Sequence, residues 1–140
     1  MQARAWIDGG SRGNPGPAGW GVHLLRGNGA SPCDAWGFLG ETTNNVAEYQ
    51  GLIAALRLAL EMDVRRIELF TDSQLIQRQV TGVYRVKQAH LRELFDEVKM
   101  LARRFAHFEI HHVPRAENKQ ADALANRAMD ERGSGRKGPC

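Results

Sequence analysis

Apolar and polar positions alternate through the first forty residues. Residues 3–8 (ARAWID), 19–26 (GWGVHLLR) and 35–40 (AWGFLG) predict three short strands. The connections are short and Gly27-Asn28-Gly29 is a turn signal, so the three strands predict an antiparallel meander. The stretch GGSRGNPGPAG, dense in Gly and Pro, reads as a turn. The period then changes. Over 46–61, Tyr49, Leu52, Ile53, Leu56 and Leu60 form the apolar stripe of a helix. Residues 66–71 (RIELFT) predict a fourth strand. Ser73 caps a short helix, SQLIQRQVT, which Gly82 ends. Residues 89–105 predict a helix with Leu91, Leu94, Phe95, Val98 and Leu101 on one face. Residues 107–113 predict a fifth strand, broken by Pro114, and 117–130 a last helix with Ala121, Leu124, Ala125 and Ala128 inward. The order β-β-β-α-β-α-α-β-α predicts one α/β domain over 1–130, a mixed sheet carrying helices. The polar, Gly-rich tail 131–140 is expected to be disordered.

Composition narrows the class without naming a function. A chain of 140 residues suits a single core, and 42% hydrophobic with 25% charged residues is ordinary for a globular protein. No apolar run approaches the roughly 18 residues of a membrane span. The start lacks the layout of a secretory signal. Cys33 and Cys140 offer neither a disulfide framework nor metal spacing, so a cytoplasmic setting is expected. A monomer is the default expectation. The net charge of +3 is uneven: residues 1–70 hold 6 Lys/Arg against 7 Asp/Glu, and residues 71–140 hold 13 against 9. That leans weakly towards a polyanionic partner.

Four acids fall at structurally pointed places. Asp8 ends the first strand and Asp72 follows the fourth. If those strands are parallel neighbours, the two acids meet where sites form in open sheets, beyond the carboxyl ends of strands. Glu48 lies near a helix start, three residues after Asn45, the spacing of a capping box with Asn45 as N-cap. Asp122 borders the inward stripe of the last helix. Each acid alone reads as a solvated loop or cap carboxylate. Bunched together they repel, and a bound divalent cation removes the conflict. Two such ions roughly 3.5–4 Å apart suit phosphodiester hydrolysis.

The segments DGGSRGNPGPAGWG, TTNNVAEYQGLIAAL, FTDSQ and AENKQADALAN, in this order and spacing, resemble ribonuclease H of type 1 from about Ala5 to Met129. The resemblance implies the ribonuclease H-like fold, a five-stranded mixed sheet whose first three strands are antiparallel, with helices on both faces. It implies that Asp8, Glu48, Asp72 and Asp122 hold two Mg²⁺ ions, with Mn²⁺ as a substitute. It implies hydrolysis of the RNA strand of an RNA–DNA hybrid to 5′-phosphate and 3′-hydroxyl ends. Asn14, Asn44, Asn45 and Gln74 match positions that meet the RNA strand, where the 2′-hydroxyl distinguishes RNA from DNA. Thr43 matches a pocket for a DNA-strand phosphate. Read without the family, Asn14 is a turn former, and Asn44 and Asn45 are helix caps.

The chain also departs from the family pattern. No histidine occupies the loop before the last helix, HHVPRAENKQAD, and Arg115 is the nearest stand-in. No long basic protrusion is present, so Tyr84, Arg85 and Lys87 remain as DNA-strand contacts, and a shallower salt slope is expected. Glu41 stands where several relatives carry Arg. No hybrid-binding domain is expected before the catalytic one. These features resemble the short, protrusion-lacking prokaryotic subgroup, some members of which also cut double-stranded RNA. Integrases, transposases and exonucleases share the fold, and a hybrid-binding module without chemistry is a further alternative. The GNPGP and TTNN segments favour the hybrid nuclease over the first group. The four acids argue against the second, because clustered negative charge facing phosphates gains nothing for binding alone.

Overall fold

The computed structural model describes residues 1–140. β1 (Gln2–Ser11), β2 (Gly16–Arg26) and β3 (Cys33–Thr42) form the meander. There follow α1 (Asn44–Glu61), β4 (Arg66–Thr71), α2 (Gln74–Val80), α3 (Ala89–Ala102), β5 (His107–His112), a 3₁₀ turn (Arg115–Glu117) and α4 (Lys119–Glu131). Every predicted strand and helix is present. β1 and β2 extend further into the GGSRGNPGPAG stretch than its composition suggests, leaving only residues 12–15 as the turn. The sheet order is β5-β4-β1-β2-β3-β6, with β1, β4 and β5 parallel to one another.

Two expectations are corrected at the C-terminus. The sheet has six strands rather than five, because β6 (Gly135–Lys137) pairs antiparallel with β3. The tail is therefore not disordered. Arg136 pairs with Glu61 at 3.0 Å, Arg26 donates to the Pro139 carbonyl at 2.7 Å, and Cys140 is disulfide-bonded to Cys33. The tail carries no apolar period, since backbone pairing and a covalent tether hold it. The disulfide also corrects the expectation that Cys33 and Cys140 offer no disulfide framework.

Alternation in the strands assigns the faces. Asp8 and Gly21 are cross-strand partners and share a face. A Cβ on Gly21 would fall 2.4 Å from the Ala121 carbonyl oxygen, so α4 packs directly on that face. Gly9 points the other way, and its Cβ would fall 2.4 Å from the Ala47 carbonyl of α1. Helices therefore cover both faces. Ala3, Ala5 and Ile7 continue the Gly9 face into the main core, where α1 and α3 supply Leu52, Ile53, Leu56 and Val98. Leu58 and Ala59 are buried as well, so α1 is enclosed on more than the single predicted stripe.

Candidate active site

The parallel pairing of β1 with β4 sets Ile7 beside Thr71, and the next residues are Asp8 and Asp72. The two acids are thus neighbours as expected, but Asp8 does not end its strand: β1 runs on to Ser11, and Asp8 lies just past the last β1–β4 pair while Asp72 follows β4. Asp122 reaches them from the first turn of α4 and hydrogen-bonds Asp8. Asn118 fixes that approach. It is fully buried at the head of α4, and its Nδ2 donates to the Ile7 carbonyl at 2.9 Å, one residue before Asp8. Sequence reasoning missed Asn118, which it left inside the helix predicted over 117–130; α4 begins one residue later, and this side chain makes no cap bond.

Glu48 arrives by a different route from the one expected. The N-cap of α1 is Thr43, whose hydroxyl accepts from the Val46 N–H at 3.3 Å, and not Asn45. Glu48 lies beyond the first turn and is no capping-box acid. Its aim comes instead from Gly9, whose missing Cβ lets Ala47 and Glu48 ride against the strand. The Ser73 hydroxyl hydrogen-bonds Glu48 from the start of α2.

The four carboxylates line one open cleft of about 430 Å³, together with Asn44, Arg12, Asn126 and Arg115. Arg115 sits exposed on the 3₁₀ turn, at the place expected for it. Arg12 and Asn126 escaped the sequence reading. Arg12 bridges to Asp130 at 2.6 Å and to Asn126 at 3.3 Å, tying the β1–β2 turn to α4. Of the predicted RNA contacts, Asn14 and Asn44 form one network. Asn14 Oδ1 accepts from the Asn44 N–H at 3.1 Å, and Asn44 Oδ1 accepts from the Ser11 N–H at 2.7 Å. Asn45, Thr43 and Gln74 flank the cleft at the starts of α1 and α2 without lining it. Tyr84, Arg85 and Lys87 lie exposed on the α2–α3 loop, where Arg78 donates to the Tyr84 hydroxyl at 2.7 Å.

Electrostatics mark this cleft. The Asp8 carboxyl is raised to about 8, first by burial, then by the charge of Asp72 and by its contact with Asp122. Burial raises Glu48 to about 7, with Asp72 adding and the Ser73 hydrogen bond opposing. Glu48 Oε2 is buried with no hydrogen-bond partner. An orphaned carboxylate oxygen beside mutually repelling acids fits a divalent cation, and an all-oxygen donor set suits a hard ion.

Residues 7–128 match the family described as reverse transcriptase-like. The chain is 44% identical over 130 residues to "Ribonuclease HI" of Halobacterium salinarum, covering 93% of this chain and 65% of that protein. It is 40% identical to "Ribonuclease H" of Halorhodospira halophila, covering 91% and 92%. The chain belongs to the ribonuclease H family. A solved ribonuclease H of this family, LC11-RNase H1 in complex with an RNA/DNA hybrid, superposes with a TM-score of 0.85 at 40% identity, covering 93% of this chain and 98% of that one.

The raised acids of this ribonuclease H fold give a pH dependence. Both groups hold their protons more tightly folded than unfolded, where ordinary values are 3.8 and 4.5. Their stabilising contribution is full below about pH 4 and is lost as pH rises through about 7 and 8. Metal-free protein is therefore expected to lose melting temperature between pH 5 and pH 8. A divalent cation favours the ionised acids, so millimolar Mg²⁺ is expected to raise Tm more at pH 8 than at pH 6. Thermal melts in chelator and in Mg²⁺ check both signs, and a Mg²⁺ effect independent of pH would contradict the assignment.

Proposed function

We propose that the chain is an endoribonuclease that hydrolyses the RNA strand of RNA–DNA hybrids and leaves 5′-phosphate and 3′-hydroxyl ends. The observation that carries this reading is the meeting of Asp8, Glu48, Asp72 and Asp122 at one cleft whose rim holds the Asn14–Asn44 network. The hybrid seen bound to the related LC11 enzyme supports the substrate class. Double-stranded RNA is a second duplex that the same cleft would meet, and a monomer acting in the cytoplasm belongs to the same reading, without the cysteine argument for it, which the Cys33–Cys140 disulfide removes.

Asp8, Glu48, Asp72 and Asp122 would hold two Mg²⁺ ions, or Mn²⁺ in their place. When bound, the ions supply activation of the attacking water and neutralise charge on the leaving 3′-oxygen. The chain's own residues do the rest. The interior of β1 fixes Asp8 and the end of β4 fixes Asp72, and Asn118 and Gly9 fix the approach of Asp122 and Glu48. Asn14, Asn44, Asn45 and Gln74 present small polar groups to the RNA strand. Thr43, Tyr84, Arg85 and Lys87 face the DNA strand. The water oxygen forms the new P–O bond, the P–O3′ bond breaks, and the 3′-oxygen leaves as a hydroxyl once it takes up a proton.

Arg115 places a fixed positive charge at the cleft. Arg115→Ala is expected to lower kcat about tenfold with a smaller change in KM, read from steady-state kinetics on a labelled hybrid. An unchanged kcat would remove Arg115 from the reaction. Product ends give a separate test: 5′-phosphates accepted by a ligase are expected, and 2′,3′-cyclic phosphates would mean attack by the ribose itself.

A further inference from the structure

A second cluster of ligand-type side chains lies on the outer half of the sheet, away from the cleft. Glu68 on β4 and Glu109 on β5 are cross-strand partners in a parallel register. Like charges set directly opposite each other destabilise a strand pair. His111, two residues along β5, points its Nε2 between them, at 3.5 Å from Glu68 Oε2 and 3.5 Å from Glu109 Oε2. That nitrogen is shut off from solvent and makes no hydrogen bond. One ligand atom from each of the three residues lies within 4.8 Å of the others.

The three side chains are held in place. The His111 ring stacks on Phe70 at 5.4 Å, and Phe70 stacks on Trp6 at 4.9 Å, which fixes the imidazole plane. His107 Nε2 sits 3.4 Å from Glu109 Oε1, which leaves Oε2 turned towards His111. Around a tetrahedral ion with bonds of about 2.0–2.2 Å, neighbouring ligand atoms sit roughly 3.3–3.6 Å apart. The two His111 separations match that edge and are long for hydrogen bonds.

We propose that Glu68, Glu109 and His111 form a zinc site on the β4–β5 face, with solvent completing the coordination. The chemistry separates it from the catalytic cleft. The cleft offers only oxygen donors to an ion and suits Mg²⁺, whereas an imidazole with two carboxylates suits Zn²⁺. The ion neutralises the facing glutamates and clips β5, which pairs with β4 alone, to the rest of the sheet.

The test loads the intact protein with one equivalent of Zn²⁺ and combines equilibrium dialysis with zinc X-ray absorption. The wild type and Asp72→Asn are both expected to retain one Zn²⁺ with an imidazole among its ligands. Because no histidine lines the cleft, that signature cannot come from there. His111→Ala is expected to lose at least tenfold in Zn²⁺ affinity along with the imidazole signal. Glu109→Gln, which keeps the side-chain shape, is expected to lose affinity with the fold intact by circular dichroism. Zinc bound through oxygen alone, zinc that follows Asp72 rather than His111, or no retained zinc would each overturn the site.

Discussion

Asp72→Asn is expected to abolish cleavage of an RNA–DNA hybrid while making the metal-free protein more stable. The two effects share one cause. Asp72 raises the Asp8 carboxyl and the Glu48 carboxyl by its charge, so its removal relieves repulsion at both. Asn keeps the volume and most of the hydrogen-bonding capacity, so packing at the end of β4 is preserved. One metal-binding carboxylate is lost, which costs several kcal/mol of transition-state stabilisation, or on the order of 10³-fold in rate. Single-turnover kinetics on a labelled hybrid and a melt in chelator read the two sides. An Asp72→Asn protein active at ordinary Mg²⁺ would remove Asp72 from the site. Lost activity with lowered metal-free stability would mean that the residue acts through the fold.

Gly9→Ala is expected to be strongly damaging for the addition of a single methyl group. The new Cβ would lie 2.4 Å from the carbonyl carbon and oxygen of Ala47 and 2.5 Å from the Glu48 nitrogen. These are backbone atoms of a long buried helix, and they cannot swing aside as a side chain would. Overpacking of this kind costs about 3 kcal/mol or more, or a fall in Tm of roughly 8 °C or more for a domain of this size. Any relief moves α1 off β1 and carries Glu48 with it, so activity falls beyond what residual folding explains. A thermal melt together with activity measured well below Tm checks both parts. A Tm within 2 °C of the wild type, as an expected bound on surface-like behaviour, would contradict the close packing of α1 on β1.

Much of this arrangement was legible in the sequence, for physical reasons that differ by element. Period-two and period-3.6 patterns exposed β1 to β5, α1, α3 and α4, and the Ser73 cap with Gly82 exposed α2. The pairing of Asp8 with Asp72 followed from reading both as strand ends on parallel neighbours; the neighbours are there, but β1 runs three residues past Asp8 because backbone pairing with β2 continues through Gly9, Gly10 and Ser11. The N-cap of α1 was misread by two residues, since Thr43, Asn44 and Asn45 are all good caps and only the backbone decides among them. The roles of Gly9 and Asn118 were hidden because they depend on what packs opposite, which no local pattern encodes. β6 was hidden for another reason: GRK has no apolar face, and its order comes from an edge-strand partner and the Cys33–Cys140 tether.

The departures from the family pattern bear on binding more than on chemistry. Without a basic protrusion, the cations proposed for the DNA strand are those of the short α2–α3 loop, where Arg85 and Lys87 are exposed. In the proposed reading, fewer phosphate contacts would leave a larger share of recognition to the Asn14–Asn44 network and to ions held by the four carboxylates.

The most direct test of the central claim offers one labelled RNA of about 12–20 nucleotides in three forms: paired with DNA, paired with RNA, and alone. A length near the roughly 16 base pairs that a duplex-RNA-binding domain spans is enough to fill a duplex-binding face. Each form is incubated with the folded protein, with and without Mg²⁺ or Mn²⁺. Cutting of the hybrid only when metal is present is the expected result, and cutting of both duplexes would widen the substrate range while keeping the mechanism. Metal-dependent binding of the hybrid with no cutting in any form would contradict the account.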